Sequence, residues 1–203
     1  MKPLILASSS RYRQGLLANL GIKVTCIAPD IDETPHPDED PKALSQRLAF
    51  EKAAKIAKQH PDAIVIGSDQ VALIDGTSPP QVLGKPHTYD NAVSQLTMCS
   101  GRTVSFFTAL SVICHNENVA CTGAETTNVI FRSLSNSDIE RYIKAETPYD
   151  CAGSFKSEGL GILLFERIDS RDPNALIGLP VMLLRDILAS ELEIDLLKLA
   201  TEG

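Results

Sequence analysis

The sequence predicts an α/β fold in which a mixed central sheet is flanked by helices. Short apolar runs typical of buried strands alternate along the chain with segments whose apolar residues recur at helical spacing. In the middle of the chain, two stretches rich in β-forming residues, 103–115 and 119–131, are separated by the turn-like Asn116-Glu117-Asn118. That arrangement favours an antiparallel pair, and its place among alternating strands and helices makes the predicted sheet mixed.

The first third of the chain is predicted to contain two strands, a helix between them and a long loop. The apolar run 4–7 is a strand, Ser8-Ser9-Ser10 is a turn, and a helix carrying Leu16 and Leu17 ends near Gly21. A second strand is predicted over 24–27. Residues 29–41 hold four prolines and six acidic residues, which indicates a loop.

Residues 42–59 form the clearest predicted helix. Its apolar side chains share one broad arc, namely Leu48, Ala49, Phe50, Ala53, Ala54, Ile56 and Ala57. After this helix, the apolar run 63–67 predicts a buried strand that ends at Ser68-Asp69-Gln70, and a continuation of the strand over 71–74 stays open. A Gly/Pro-rich connection follows over 75–86 and includes Pro79-Pro80.

The second half continues the alternation. A helix is predicted over 89–99, with Gly101 after its end, and another over 135–144. Residues 151–161 are predicted to form a glycine-bearing loop, residues 162–165 a strand, and residues 179–191 a closing helix.

Composition limits the class of protein. Of 203 residues, 43% are hydrophobic and 22% are charged, as in an ordinary globular protein. No apolar run approaches the ~20 residues that span a bilayer, and the segment 1–7 is too short for the core of a signal peptide. We therefore expect a cytoplasmic protein that does not bind membranes.

Charge and cysteine content exclude further classes. The formal net charge of -7, without a basic run, argues against a nucleic acid partner but leaves room for a small anionic substrate in a cleft with local positive charge. The five cysteines are scattered, with no Cys-x-x-Cys pair, so neither a zinc site nor a disulfide framework is expected.

Two charged residues break the packing pattern. Lys52 lies within the apolar arc of the helix 42–59, either because its stem passes the edge of the core or because its ammonium has a function. In either case, replacement by methionine is expected to cost little stability, because the position lies in an apolar arc. Asp69 comes where a buried strand is predicted to end, a place favoured for catalytic carboxylates in α/β sheets, although a turn-forming aspartate gives the same pattern.

Two loops offer groups suited to a phosphate and a metal ion. The Ser8-Ser9-Ser10 turn combines hydroxyls and the start of a helix with the basic residues Arg11 and Arg13, which suits a phosphate group. An ordinary serine cap would look the same. The acidic loop with Asp30, Asp32 and Glu33 either is solvated or supplies hard oxygen ligands for Mg²⁺ or Mn²⁺.

Taken together and in order, these motifs resemble the Maf nucleotide pyrophosphatases over the whole chain. The matching stretches are Leu6-Ala7-Ser8-Ser9-Ser10 with Arg13, Asp32-Glu33-Thr34, Arg47-Leu48-Ala49 with Lys52-Ala53, Gly67-Ser68-Asp69, Gly84-Lys85-Pro86 and Asp172-Pro173-Asn174. The resemblance implies a single domain over residues 1–203 with the Maf/ITPase-like fold, two lobes with a substrate cleft between them. It also implies a homodimer.

The resemblance further implies a reaction and a set of site residues. The reaction is metal-dependent cleavage between the α- and β-phosphates of a nucleoside triphosphate, with Mg²⁺ or Mn²⁺ as cofactor. Asp69 would activate water, and Glu33 and Asp69 would associate with the metal. The phosphate oxygens would be held by Ser8, Ser10, Arg13, Lys52 and Lys85.

Departures from the common family pattern point to one branch. Tyr12 replaces an arginine of the first motif, Gln70 follows Asp69, and Glu158 takes the place of a glutamine in the loop 151–159. These features resemble the branch that prefers 7-methyl-GTP. The methylated ring is cationic, so it would stack on Tyr12, and its two adjacent N–H donors would meet the carboxylate of Glu158. Other base choices (dTTP/UTP or a modified purine) and a nucleotide-binding regulator of septum formation stay open.

Overall fold

The computed structural model describes residues 2–77 and 80–202, so Ser78 and Pro79 of the predicted connection lie outside the described residues. The chain divides into two compact units. The first comprises Met1–Gln70, Thr108–Glu125 and Asp172–Gly203, and the second comprises Val71–Phe107 and Thr126–Arg171. No helix in the described part of the chain is long and apolar enough to cross a membrane.

Strands and helices alternate along the described residues. The strands are β1 Leu4–Ala7, β2 Thr25–Cys26, β3 Ile64–Ile74, β4 Gln81–Leu83, β5 Thr103–Cys114, β6 Val119–Phe131 and β7 Phe165–Asp169. The helices are α1 Arg11–Asn19, α2 Pro41–Ala57, α3 Tyr89–Cys99, α4 Asn136–Glu146, α5 Pro173–Ile177, α6 Val181–Leu192 and α7 Leu196–Glu202. The strands are ordered β2-β1-β3-β5-β6-β7, with β4 paired to β3, in one mixed sheet. The α/β class is confirmed.

In the first unit, helices cover both faces of the strands. β1 pairs in parallel with both β2 and β3. Because side chains alternate across a strand, β1 and β3 contribute to two separate cores. One core joins Leu4, Leu6, Ile64 and Ile66 to α1, α6 and α7. The other joins Ile5, Ala7 and Val65 to α2, through Ala53, Ile56 and Ala57.

A glycine in β3 permits unusually close packing of α2. A Cβ atom at Gly67 would lie 2.2 Å from the carbonyl oxygen of Ala49 and 2.8 Å from the backbone nitrogen of Ala53, both in α2. Only glycine allows this approach of helix and strand backbones. Because Asp69 follows two positions later, it faces the same side of the strand, which is the side that α2 covers.

The second unit has an aromatic core. Phe106, Phe131, Phe155 and Phe165 contact one another edge to face, with ring centroids 4.8 to 5.7 Å apart. α3 packs against α4. β4 pairs antiparallel with the end of β3, and β7 pairs antiparallel with the end of β6.

Several predicted elements need correction. Residues 162–165 were predicted as a strand, but 160–164 form a 3-10 helix, and the strand begins at Phe165. Gly161 explains the tight turn, because a Cβ there would lie 2.3 Å from the carbonyl oxygen of Lys156. Phe50 is 43% exposed and does not join the apolar face of α2. The short elements β4, α5 and α7 were not predicted.

The predicted end of a strand at Ser68-Asp69-Gln70 is also wrong. β3 continues without a break from Ile64 to Ile74, so Asp69 lies within an eleven-residue strand. Polar residues indicated an end because a buried strand normally carries apolar side chains. Here the side chains of Ser68, Asp69 and Gln70 all have polar partners, which lets the strand continue through them.

Candidate active site

Lys52 lies between two carboxylates. Its ammonium is 2.6 Å from Oδ1 of Asp69 and 2.8 Å from Oε1 of Glu33. The residue is only 6% exposed, so the lysine does not extend past the core to solvent. Its helix places it there, because Lys52 lies between Ala49 and Ala53, whose backbones come closest to Gly67 of β3. The interpretation of Lys52 as a lysine at the edge of the core is therefore wrong.

Asp69 is the buried member of this group and Glu33 the exposed one. The side chain of Asp69 is 11% exposed and that of Glu33 is 59% exposed. Burial raises the pKa of Asp69 above its ordinary value, and the positive charges of Lys52 and Arg13 oppose that rise. Glu33 thus offers oxygens to solvent, while Asp69 is a carboxylate with increased basicity.

Arg13 approaches the same carboxylates from α1. Its Nε donates to the carbonyl oxygen of Gly178 at 2.7 Å, and its Nη1 donates to Oγ of Ser8 at 3.5 Å. Burial lowers the pKa of Arg13, whereas the charges of Asp69 and Glu33 raise it. With Lys52, the group therefore holds two cations and two carboxylates whose charges interact.

The serine turn is preorganised at the start of α1. Oγ of Ser8 accepts from the backbone N–H of Ser10 at 3.1 Å. Ser10 caps α1, because its Oγ accepts from the backbone N–H of Arg13 at 3.4 Å. The prediction of a serine cap is confirmed, and it does not exclude a phosphate site, since a helix start also presents N–H groups to an anion. The phosphate role of Ser8 and Ser10 stays a prediction.

On the opposite side of β3, two polar side chains form hydrogen bonds with α5 and with the turn that follows it. Oγ of Ser68 is 2.9 Å from the carbonyl oxygen of Gly178. Nε2 of Gln70 donates to the carbonyl oxygen of Ala175 at 3.0 Å and lies 2.9 Å from Oγ1 of Thr108. In the structure, Gln70 therefore links β3 to α5 through hydrogen bonds. The role of Gln70 in substrate specificity stays a prediction.

The Asp172-Pro173-Asn174 motif has a structural place that the sequence did not reveal. Asp172 is fully buried and accepts from the backbone N–H of Asn174 at 2.9 Å and from that of Met182 at 2.7 Å. It thereby caps α5 and fixes the start of α6. The turn between these helices carries Gly178, whose carbonyl oxygen holds Arg13. A backbone carbonyl leaves no signal in a side-chain pattern, so sequence reasoning missed it.

The predicted site residues are divided between the two units. Those in the first unit are Ser8, Ser10, Tyr12, Arg13, Glu33, Lys52, Asp69 and Gln70. Lys85 and Glu158 belong to the second unit, and both are exposed. Oε2 of Glu158 accepts from Oγ of Ser157 at 3.3 Å. Tyr12 is half-buried. The pairing of Tyr12 with Glu158 around one base therefore stays a prediction.

Two carboxylates of the first unit suit a divalent metal ion. Within residues 2–77 and 80–202, no three His, Cys, Asp or Glu side chains are grouped as a metal site. Glu33 and Asp69 provide two carboxylates that meet at one ammonium. Mg²⁺ commonly binds through one or two carboxylates together with substrate phosphates and water, so this donor set suits it.

The chain is similar to two curated proteins named 7-methyl-GTP pyrophosphatase. It is 49% identical over 181 residues to the protein from a Polaromonas strain, a match covering 89% of this chain and 81% of the relative. It is 48% identical over 191 residues to the protein from Pseudomonas syringae pv. tomato, covering 94% of this chain and 97% of the relative.

The fold is similar to that of a solved structure, and the sequence matches one family model. The fold resembles the Ham1 protein of Staphylococcus aureus, with a TM-score of 0.53 at 16% identity, over 94% of this chain and 100% of that one. This likeness supports the predicted ITPase-like fold class. The family model described as Maf-like protein matches residues 3–191. The predicted resemblance is thus confirmed, and the chain belongs to the Maf family.

Proposed function

We propose that this protein hydrolyses a nucleoside triphosphate to the monophosphate and pyrophosphate, with 7-methyl-GTP as the preferred substrate. The observation that carries the proposal is the buried ammonium of Lys52 between Asp69 and Glu33. It is supported by identities of 49% and 48% to two proteins named 7-methyl-GTP pyrophosphatase. A protein that only bound nucleotides would not need two carboxylates at this point.

The chemistry requires a positioned water molecule and neutralised phosphate charge. Asp69 accepts a proton from the attacking water, which adds to the α-phosphorus as the bond to the bridging oxygen breaks and pyrophosphate leaves. A buried carboxylate with a raised pKa is a better base than an exposed one, and the positive charges of Lys52 and Arg13 favour its ionised form.

The remaining residues of the first unit bind the triphosphate. Lys52 and Arg13 neutralise phosphate oxygens, and the N-terminal turn of α1 with Ser8 and Ser10 donates hydrogen bonds to them. Lys85 is a further cation proposed to hold phosphate oxygens. Glu33 and Asp69 would hold Mg²⁺ or Mn²⁺, which would further neutralise the phosphate charge.

The family relationship supports three further proposals. The whole chain, residues 1–203, works as one domain; it forms a homodimer; and it acts on nucleotides in the cytoplasm. Size-exclusion chromatography with light scattering measures the second of these directly. A mass equal to one chain at micromolar concentration would contradict the homodimer.

The activity test is pyrophosphate release from a panel of triphosphates. We expect release from 7-methyl-GTP to exceed release from GTP, dTTP and UTP in kcat/KM, and to require Mg²⁺ or Mn²⁺. Preference for dTTP or UTP would overturn the base choice while leaving the reaction in place. No pyrophosphate from any of the four substrates with either metal would overturn the proposal itself.

Base choice is expected to depend on Tyr12 and Glu158. Glu158→Gln removes a charged acceptor, which lowers kcat/KM about ten- to hundred-fold, and more for 7-methyl-GTP than for GTP, because only the methylated base carries the extra positive charge. Tyr12→Ala acts in the same direction through lost stacking. The measurement is kcat/KM for both substrates in each variant.

The matched control for base choice is Glu166→Gln. It makes the same exchange at an exposed position of β7, in the same unit as Glu158. This variant should leave kcat/KM for both substrates unchanged. Equal losses for 7-methyl-GTP and GTP in the Glu158→Gln variant would contradict the assigned role of this residue.

The raised pKa of Asp69 predicts a pH dependence of stability. The folded protein holds this proton more tightly than the unfolded chain does, so unfolding releases a proton at a pH between the ordinary value of 3.8 and the folded value. The free energy of unfolding of the wild type, relative to Asp69→Asn, should fall as the pH rises through that window. Urea unfolding of both proteins in EDTA at a series of pH values measures this difference in the free energy of unfolding. A difference that rises with pH would contradict the raised pKa of Asp69.

A further inference from the structure

We propose that Arg47 is a positioning residue, which holds the loop over residues 30–40 on α2 so that Glu33 is presented beside Lys52 and Asp69. The inference rests on the proposed function, because that function gives Glu33 its role. Arg47 has no part in the proposed reaction or in the proposed metal site.

The guanidinium of Arg47 forms hydrogen bonds with two residues of this loop. Its Nε donates to Oε1 of Glu39 at 2.7 Å and its Nη2 donates to Oε2 of Glu39 at 2.8 Å, which is a two-pronged, charge-assisted contact. The same Nη2 donates to the carbonyl oxygen of Thr34 at 3.1 Å. Thr34 is the residue directly after Glu33, so the second contact fixes the backbone next to the carboxylate.

The loop also has internal hydrogen bonds on both sides of Glu33. Oδ1 of Asp32 accepts from the backbone N–H of Thr34 at 2.9 Å and from its hydroxyl at 2.6 Å. Oε2 of Glu39 accepts from the backbone N–H of His36 at 2.9 Å. These hydrogen bonds connect the residues of the segment 32–39 to one another, and Arg47 attaches the segment to α2.

Glu33 needs such support from its backbone. Its side chain is 59% exposed, and its ion pair with Lys52 is one contact on a flexible chain. Lys52 and Arg47 both belong to α2, so a single helix holds the carboxylate and the backbone that carries it. Because the carboxylate of Glu33 and the neighbouring backbone are both held, the carboxylate has few positions available. A metal-associated carboxylate requires such orientation.

Arg47 has a second acidic partner that supplies a control. Its Nη1 lies 3.3 Å from Oε2 of Glu51, one turn further along α2. Glu51 belongs to the helix, whereas Glu39 belongs to the loop. Removing either acid deletes one charge partner of Arg47, but only the loss of Glu39 releases the loop. Hydrogen bonds from Arg47 and from the backbone N–H of His36 lower the pKa of Glu39 to about 2, so its carboxylate is ionised at neutral pH.

The experiment compares Arg47→Lys and Glu39→Gln with Glu51→Gln. Three readouts apply to each: Mn²⁺ binding without nucleotide by calorimetry, kcat/KM for 7-methyl-GTP, and hydrogen exchange of peptides covering residues 30–40. We expect the first two variants to lose about ten-fold in Mn²⁺ affinity and in kcat/KM, the scale of a residue that orients a metal ligand, with faster exchange in the loop. Glu51→Gln should match the wild type in all three.

A cycle with Glu33→Gln tests whether Arg47 acts through that carboxylate. Adding Arg47→Lys to Glu33→Gln should cause no further loss in Mn²⁺ affinity or kcat/KM, although loop exchange should still increase. Additive losses, or unchanged loop exchange in Arg47→Lys, would overturn the positioning role. If the wild type releases no pyrophosphate, the proposed function fails, and hydrogen exchange still decides whether Arg47 holds the loop.

Discussion

Replacing Asp69 with asparagine is expected to lower kcat for pyrophosphate release by ~10²–10⁴-fold while the protein stays folded. Asparagine has the size of aspartate and can occupy the same place in β3, but it cannot accept a proton from water. Lys52 keeps its contact with Glu33 at 2.8 Å, so its ammonium is not left without a partner. The loss should therefore appear in the chemical step rather than in folding.

The matched control is Asp169→Asn, the same exchange at an exposed position of β7, where the carboxylate pairs with Arg167 on the surface. This control should retain wild-type kcat, because surface pairs contribute little to stability and Asp169 has no proposed role in the site. Near-native pyrophosphate release by Asp69→Asn would show that Asp69 is not the general base. Circular dichroism of both variants checks the fold.

Much of the fold could be predicted from periodicity and turn residues. The helix predicted over 89–99 has those bounds in the structure, and the strand over 119–131 likewise. Gly21 and Gly101, which were predicted as helix stops, do follow helices, and both have positive φ. Local signals suffice here because such elements have continuous patterns and distinct ends.

Other elements depend on contacts that the local pattern does not contain. The apolar letters of 162–165 suit a strand, but the close approach of Gly161 to the backbone of Lys156 favours a 3-10 turn. The continuation of β3 through Asp69 requires Lys52, which lies 17 positions earlier. A reading of neighbouring residues alone therefore placed the end of the strand too early.

The candidate site shows the same division. Lys52 and Asp69 were recognisable because each breaks an apolar pattern. Their partnership, and the part of Gly67 in bringing α2 close, required the three-dimensional structure. Arg47 gave no such signal, since a charged residue on the polar side of a helix is ordinary.

The second large effect is expected on stability, from Lys52→Met. The apolar arc of α2 predicted that methionine would be tolerated, but the structure reverses that expectation. Without the ammonium, Asp69 is buried with its main compensating charge removed, and breaking a buried ion pair in this way costs about 3 kcal/mol or more. Thermal and urea unfolding at neutral pH should show this loss, and kcat/KM for 7-methyl-GTP should fall as well, because a phosphate-binding cation is gone.

The double variant Lys52→Met/Asp69→Asn separates this cause from a simple packing defect. Methionine fits an apolar surface, so packing alone predicts that the two stability effects add. If the cost comes from an uncompensated buried carboxylate, neutralising that carboxylate should recover a large part of it, and the double variant should be more stable than Lys52→Met alone. Urea unfolding of the wild type, both single variants and the double variant at one pH provides the four free energies. A double variant that is less stable than Lys52→Met would mean that the pair does not control the stability of this site.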